Sequence, residues 1–204
     1  SSIDNNRNNK NRHNNDEASN DTNAAAARVL DRLGISLLPI SGAGCCGALR
    51  YHLDQHAAGL NDMRRVIDAC WPMIEAGQVE AIVITASGCA TMVADYGHLL
   101  AHDSAYAEKA ARVSTLMKDI SEVISAEKAA VASMLKSSIL SPESLRLAFH
   151  PPCSLQHGLK MKGKVESLLT ELGFALTPVA DSHLCCGSAG TYSISQPELS
   201  QRLL

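Results

Sequence analysis

One tripeptide, present twice, restricts this chain more than any other feature: Cys45-Cys46-Gly47 and Cys185-Cys186-Gly187. The flanking residues repeat with it. Leu33-Gly34-Ile35 leads through Pro39 to the first pair, and Leu172-Gly173-Phe174 leads through Pro178 to the second. The glycine-to-cysteine intervals are 11 and 12 residues, and the two blocks are offset by 140. Self-similarity of this kind marks a structural unit used twice. Each block predicts a helix stopped by glycine, a short buried strand, and a loop of small residues presenting two adjacent thiols.

The 204 residues suffice for a proper core, and with 46% apolar but only 3% aromatic residues that core must come mainly from Ala, Leu, Ile and Val. A formal charge of -3 without a basic stripe argues against a nucleic-acid surface. No apolar run approaches the roughly 18 residues of a membrane span, and the start lacks the order of a secretory signal. Seven cysteines in such a chain point to a reducing, cytoplasmic setting, where thiols serve as ligands or redox groups more often than as staples. A bridge between adjacent cysteines would also be strained.

Residues 1–23, nine of them Asn, are expected to be disordered and foreign to the domain. Helical periodicity starts at Ala24 and stops at Gly34, and residues 35–40 read as a buried strand. A helix over 61–77 puts Met63, Val66, Ile67, Cys70 and Ile74 on one face, which makes Cys70 a core residue. A strand over 80–85 follows, then helices over 91–102 and 105–123, and a helix with connector over 125–144 broken at Pro142. Beyond it lie strands at 145–149 and 174–179 and helices at 165–172 and 196–204. Strands alternating with helices predict an α/β fold with parallel sheets flanked by helices, whose ligands bind beyond the carboxyl ends of the strands. Cys45, Cys46, Cys89, Cys153, Cys185 and Cys186 all follow a predicted strand.

Thiolates are soft anionic donors, and three or four of them converging define an iron–sulfur or zinc site. Competing readings are a set of small core hydrophobes and a thiol–disulfide centre. Gly44, Gly47 and Gly187 would let the backbone approach a bound group closely. His52 with His56, and His98 with His102, share helix faces without a third ligand nearby and read as solvated. His150 and His157 flank Cys153 and His183 precedes Cys185, so they could tune a cluster by hydrogen bonding or substitute as ligands. No P-loop, dinucleotide fingerprint or catalytic triad appears, and no catalytic residue is assigned.

The spacing of Cys153 from Cys185-Cys186 resembles that of the cysteine-rich "CCG" domain. More narrowly, Ser41–His52 (SGAGCCGALRYH), Thr85–Met92 (TASGCATM), Phe149–His157 (FHPPCSLQH) and Asp181–Tyr192 (DSHLCCGSAGTY) resemble the iron–sulfur subunits of glycolate oxidases. The resemblance covers residues 24–204. It implies two pseudo-symmetric Rossmann-like repeats, related to those of heterodisulfide reductase, with Cys45, Cys46, Cys89, Cys153, Cys185 and Cys186 holding iron–sulfur clusters of [4Fe–4S] type. It further implies FAD in a flavoprotein partner subunit, a quinone as electron acceptor, no nucleic acid, and a complex compatible with peripheral attachment at the inner membrane face. A cluster-free scaffold contacting partner subunits, and a zinc or thiol module, are the alternatives.

The repeat arithmetic departs from that pattern. Cys153 precedes Cys185 by 32 positions, but the same step back from Cys45 reaches His13. Ala86 stands three residues before Cys89, where a Cys-x-x-Cys would place a cysteine, and the second-repeat equivalent of Cys89 would fall near position 229. The expectation is a first repeat over 24–144 without its first strand and cysteine, and a truncated second repeat over 145–204. Both are incomplete, with three candidate ligands each.

Overall fold

The computed structural model describes residues 22–136, 142–188 and 190–203. It forms two compact units, one ending at Pro39 and one starting at Ile40. In the first, helix α1 (residues 22–32) ends as its glycine predicts. Gly34, at φ +77°, donates to the Asp31 carbonyl at 2.9 Å, and Ile35 donates to that of Leu30 at 2.9 Å. This is a Schellman stop, in which a left-handed residue lets the last carbonyls find partners. The Asn-rich residues 1–21 lie outside the described residues.

Residues 35–40 correct the sequence reading, for they form no strand. A strand exists only through a paired neighbour, and the repeat offset of 140 puts the expected neighbour before residue 22, outside the described residues. Leu37 and Leu38 are exposed, unlike the residues of a buried strand.

In the second unit, α2 (Ala48–His52) and α3 (His56–Glu75) follow the first cysteine pair. Then come β1 (Ile82–Ile84), α4 (Ser87–Ala94), α5 (Tyr96–Leu99) and α6 (Ala107–Leu116). The helix expected over 105–123 is interrupted by β2 (Met117–Asp119), which pairs in parallel with β1 in the register Ile82 to Met117 and Ile84 to Asp119. Helical periodicity runs through this stretch, but Asp119-Ile-Ser-Glu122 is a capping box that restarts the helix. The Asp119 side chain accepts from the Ser121 N–H at 2.9 Å and Glu122 accepts from the Asp119 N–H at 3.0 Å. From that cap run α7 (Ile120–Ala126) and α8 (Lys128–Lys136).

The second sheet joins β3 (Arg146–Ala148) and β4 (Ala175–Thr177), again parallel, with Leu147 opposite Leu176. Between them lie a π-helical turn at Ser154–Gly158 and α9 (Lys164–Glu171). The glycine stop recurs: Gly173, at φ +94°, donates to Thr170 and Phe174 donates to Leu169, both at 3.0 Å. Two short helices, α10 (Tyr192–Ser195) and α11 (Pro197–Gln201), complete the described chain.

The core gathers Met63, Ile67 and Cys70 from α3, Ile82 from β1, Met92 and Val93 from α4, Tyr96, Leu100, and Ala110, Val113 and Leu116 from α6. Each large side chain buried here contributes about 1.5–3 kcal/mol by leaving water. Cys70, 2% exposed, is a core residue as its helical position predicts, and the same burial pushes its thiol pKa up. The α4 helix meets the π-helical turn through small polar groups. Ser87 Oγ lies 2.7 Å from Ser154 Oγ, and Thr91 Oγ1 donates to the Ser154 carbonyl at 3.3 Å. Gly158 permits that approach, since a Cβ there would stand 2.6 Å from Thr91 Oγ1. Among the described residues no helix is long and apolar enough to cross a membrane.

Candidate functional site

The first Cys-Cys-Gly loop lies directly on the backbone of α3. Gly47 has φ +85°, and a Cβ on it would stand 2.6 Å from the Gly59 carbonyl oxygen. Only glycine tolerates both the left-handed backbone and that approach. Gly47 then opens α2, whose Tyr51 N–H donates to its carbonyl at 3.0 Å. The buried carboxylate of Asp62 holds α2 to α3: its Oδ1 pairs with Arg50 at 3.2 Å and with Arg65 at 3.1 Å. Asp62 Oδ2 is buried without a partner among the described residues. The Arg65 guanidinium would lie 3.4 Å from a Cβ at Gly44, so it borders the loop just before the cysteines.

Two more elements converge on that loop. Tyr96, fully buried, donates its hydroxyl to the Cys46 carbonyl at 2.8 Å, and burial, reinforced by the nearby sulfurs of Cys46, Cys45 and Cys89, pushes its pKa up. Cys89 stands in the first turn of α4, a helix that starts before the expected Thr91. The Cys46 thiol donates to the Cys89 sulfur, which brings Cys89 down to about 7, while that bond and burial hold Cys46 protonated well above the usual thiol range. Cys45 is exposed and borders both Cys46 and Cys89. Cys45, Cys46 and Cys89 are thus brought together, although no strand precedes Cys45 as expected.

The second loop repeats the left-handed glycine but not the surroundings. Gly187 has φ +72° and is buried against Ser200, whose Oγ donates to the Gly187 carbonyl at 2.7 Å. The Gly187 N–H donates to Cys185 Sγ at 3.4 Å, showing how a backbone amide reaches sulfur in this loop. Cys153, Cys185 and Cys186 are all exposed. So are His150, His157 and His183, and likewise His52, His56, His98 and His102. His56 stacks on Tyr51 at 4.6 Å, in keeping with a surface role.

Sequence reasoning missed Tyr96, Asp62 and Gln156. Tyr96 follows Cys89 by seven residues, two helical turns on the same face, a spacing visible in the sequence. Asp62 and Gln156 have no such signal, because a polar residue buried by tertiary contacts looks the same in sequence as an exposed one.

Among the described residues no three His, Cys, Asp or Glu side chains converge on one point as a single-ion site requires. In an iron–sulfur cluster each thiolate takes its own iron, so the sulfurs surround the group rather than meet. The first site fits such a group in donor chemistry: three unbridged thiols, two of them in contact, with Cys45 and Cys46 on a glycine-lined loop and Cys89 at the start of α4.

The profile of the cysteine-rich CCG domain matches residues 10–94 and 147–204. The chain belongs to the CCG cysteine-rich domain family. The match omits α5 to α8, with β2 among them, and begins within the Asn-rich stretch. The chain is 53% identical over 182 residues to the glycolate oxidase iron-sulfur subunit of Escherichia coli K12, covering 89% of this chain and 43% of that protein. It is 28% identical over 185 residues to a probable glycolate oxidase iron-sulfur subunit of Bacillus subtilis, covering 90% and 39%. It is also 27% identical over 183 residues to lactate utilization protein A of Bacillus licheniformis, covering 88% and 71%. The chain therefore spans less than half the length of the two glycolate oxidase subunits it matches. Its two parallel sheets with flanking helices agree with the α/β CCG fold expected from sequence.

Proposed function

We propose that this chain is an electron-transfer component of a 2-hydroxy-acid oxidising complex of the glycolate oxidase type. The observation that carries this reading is the Cys46–Cys89 thiol contact with Cys45 beside it, in a chain 53% identical to a glycolate oxidase iron-sulfur subunit. Cys45, Cys46 and Cys89 would hold one iron–sulfur centre, and Cys153, Cys185 and Cys186 contribute to a second, both of [4Fe–4S] type. Such a centre, when bound, accepts and passes on single electrons. The residues of this chain orient the donors: Gly47 and Gly187 set the loops, Tyr96 fixes the Cys46 backbone, and the Cys46–Cys89 contact keeps one thiolate available near neutral pH. Electrons arrive from FAD in a partner flavoprotein and leave toward a quinone, and the complex works in the cytoplasm, peripheral to the membrane. Substrate chemistry belongs to the flavin.

The test is anaerobic reconstitution followed by iron, sulfide and absorption measurements. Iron and sulfide in equal amounts with absorption near 400 nm are expected; stoichiometric zinc without sulfide would replace this reading by the zinc module. A second reading, a scaffold that only contacts partner subunits, is favoured by five exposed apolar side chains in the second repeat, Leu145, Leu184, Ile194, Leu199 and Leu203. Neither metal nor sulfide after reconstitution, with the fold intact, would support it.

A further inference from the structure

The second repeat contains a buried polar side chain whose hydrogen bonds join two separate loops. Gln156 is only 7% exposed, in the middle of the π-helical turn that follows Cys153. Its Nε2 donates to the Pro151 carbonyl at 2.8 Å and to the Ser182 carbonyl at 3.2 Å. Pro151 lies two residues before Cys153, and Ser182 lies three residues before Cys185. One buried nitrogen therefore ties together the two loops that carry all three cysteines of this repeat.

The local chain explains how the amide comes to face inward. Pro151 and Pro152 supply no N–H groups, and both the Leu155 and Gln156 amides donate to the Pro152 carbonyl at 3.0 Å. The turn is then wound wide: the Leu159 N–H reaches the Ser154 carbonyl at 2.9 Å. Widening of this kind recurs at functional sites, where it redirects a side chain. Here it puts two consecutive residues, Leu155 and Gln156, into the interior. Leu155 fills apolar space, whereas burying an amide is unfavourable unless both its hydrogens are used. Both are, on opposite loops.

We propose that Gln156 is a positioning residue that clamps the Cys153 loop to the Cys185–Cys186 loop, so that sulfurs from both can serve one site. This rests on the reading that these three cysteines act together. The clamp acts before any metal is present, since both its bonds are to backbone carbonyls of the chain itself. The second repeat uses it where the first uses Tyr96 on the Cys46 carbonyl: a buried side-chain donor holding a cysteine loop by its backbone.

The test uses the metal-free, reduced full chain treated with dibromobimane, which becomes fluorescent on linking two thiols, followed by peptide mapping. In the unaltered protein a bridge from Cys153 to Cys185 or Cys186 is expected, alongside a Cys46–Cys89 bridge. Gln156→Met, of similar length but without a donor, should lower the Cys153 bridge at least about fivefold and leave the Cys46–Cys89 bridge unchanged; Gln156→Asn should fall between. Three results would overturn the proposal: a Cys153 bridge unchanged in Gln156→Met, no Cys153 bridge in the unaltered protein while Cys46–Cys89 forms, or equal loss of both bridges, which would make Gln156 a general fold residue. No iron enters the assay, so failure to bind iron and sulfide in reconstitution would remove the electron-transfer reading and leave the clamp result standing.

Discussion

The two Cys-Cys-Gly loops share a left-handed glycine and differ in their surroundings. Gly47 and Gly187 both adopt left-handed conformations against a helix, at φ +85° and +72°. The first helix is the 20-residue α3, with Arg50, Asp62 and Arg65 joined across it and Tyr96 bonded to the loop from the other side. The second is the five-residue α11, and its cysteines are exposed. A tripeptide can set a loop's shape, but the elements packed behind it decide whether its thiols are held in a fixed relation. By this account the first site is preorganised and the second depends on a single amide clamp.

The largest expected effect that separates the two loops is on stability. Gly47→Ala combines a left-handed penalty of about 1–2 kcal/mol with overpacking of about 1–3 kcal/mol against the Gly59 carbonyl. Gly187→Ala carries the same backbone penalty and an even closer approach to a backbone carbonyl, that of Ser200. The helix it meets, however, is the five-residue α11 rather than the 20-residue α3, so the cost of displacing it should be smaller. Thermal unfolding should show a fall of about 6–12 °C for Gly47→Ala and less than half of that for Gly187→Ala. Equal falls would remove the asymmetry.

Thiol reactivity comes next. In the metal-free protein the alkylation rate of Cys89 should rise through a midpoint at about pH 7, because the Cys46 thiol stabilises its thiolate. Cys46→Ala removes that donor and should return the midpoint toward the ordinary 9.0, slowing reaction at pH 7 by about fiftyfold, as two pKa units imply. Rates mapped peptide by peptide would check this.

Tyr96→Phe leaves the Cys46 carbonyl without its buried donor and should cost about 1–2 kcal/mol in chemical denaturation. The smallest effect is expected where α4 meets the π-helical turn. Ser87→Ala removes the contact with Ser154 and should cost about 1 kcal/mol or less. A larger loss there would mean that the two cysteine loops depend on one another more than this comparison allows.

The glycines were the most legible part of the sequence. Gly34 and Gly173 were read as helix stops and both make Schellman bonds, because a left-handed cap is a local property that glycine alone meets cheaply. Cys70 was legible through helical spacing. The strand at 174–179 was recognised and the matching run at 35–40 was misread, although both are short and apolar, because strand formation depends on a neighbour elsewhere in the chain. The Met-Lys-Asp strand β2 was missed since its residues have little strand character and pairing with β1 alone defines it. Asp62 and Gln156 were missed for the same reason: their roles depend on tertiary partners, whereas Tyr96 stands at a helical spacing from Cys89 that the sequence displays.

The central claim, that the first loop is the better organised site, is tested most directly by iron content after anaerobic reconstitution of two single variants. Cys46→Ala should lose most of the iron and sulfide bound by the unaltered protein, while Cys186→Ala should retain the larger part. Equal losses in the two variants, or the greater loss in Cys186→Ala, would contradict it.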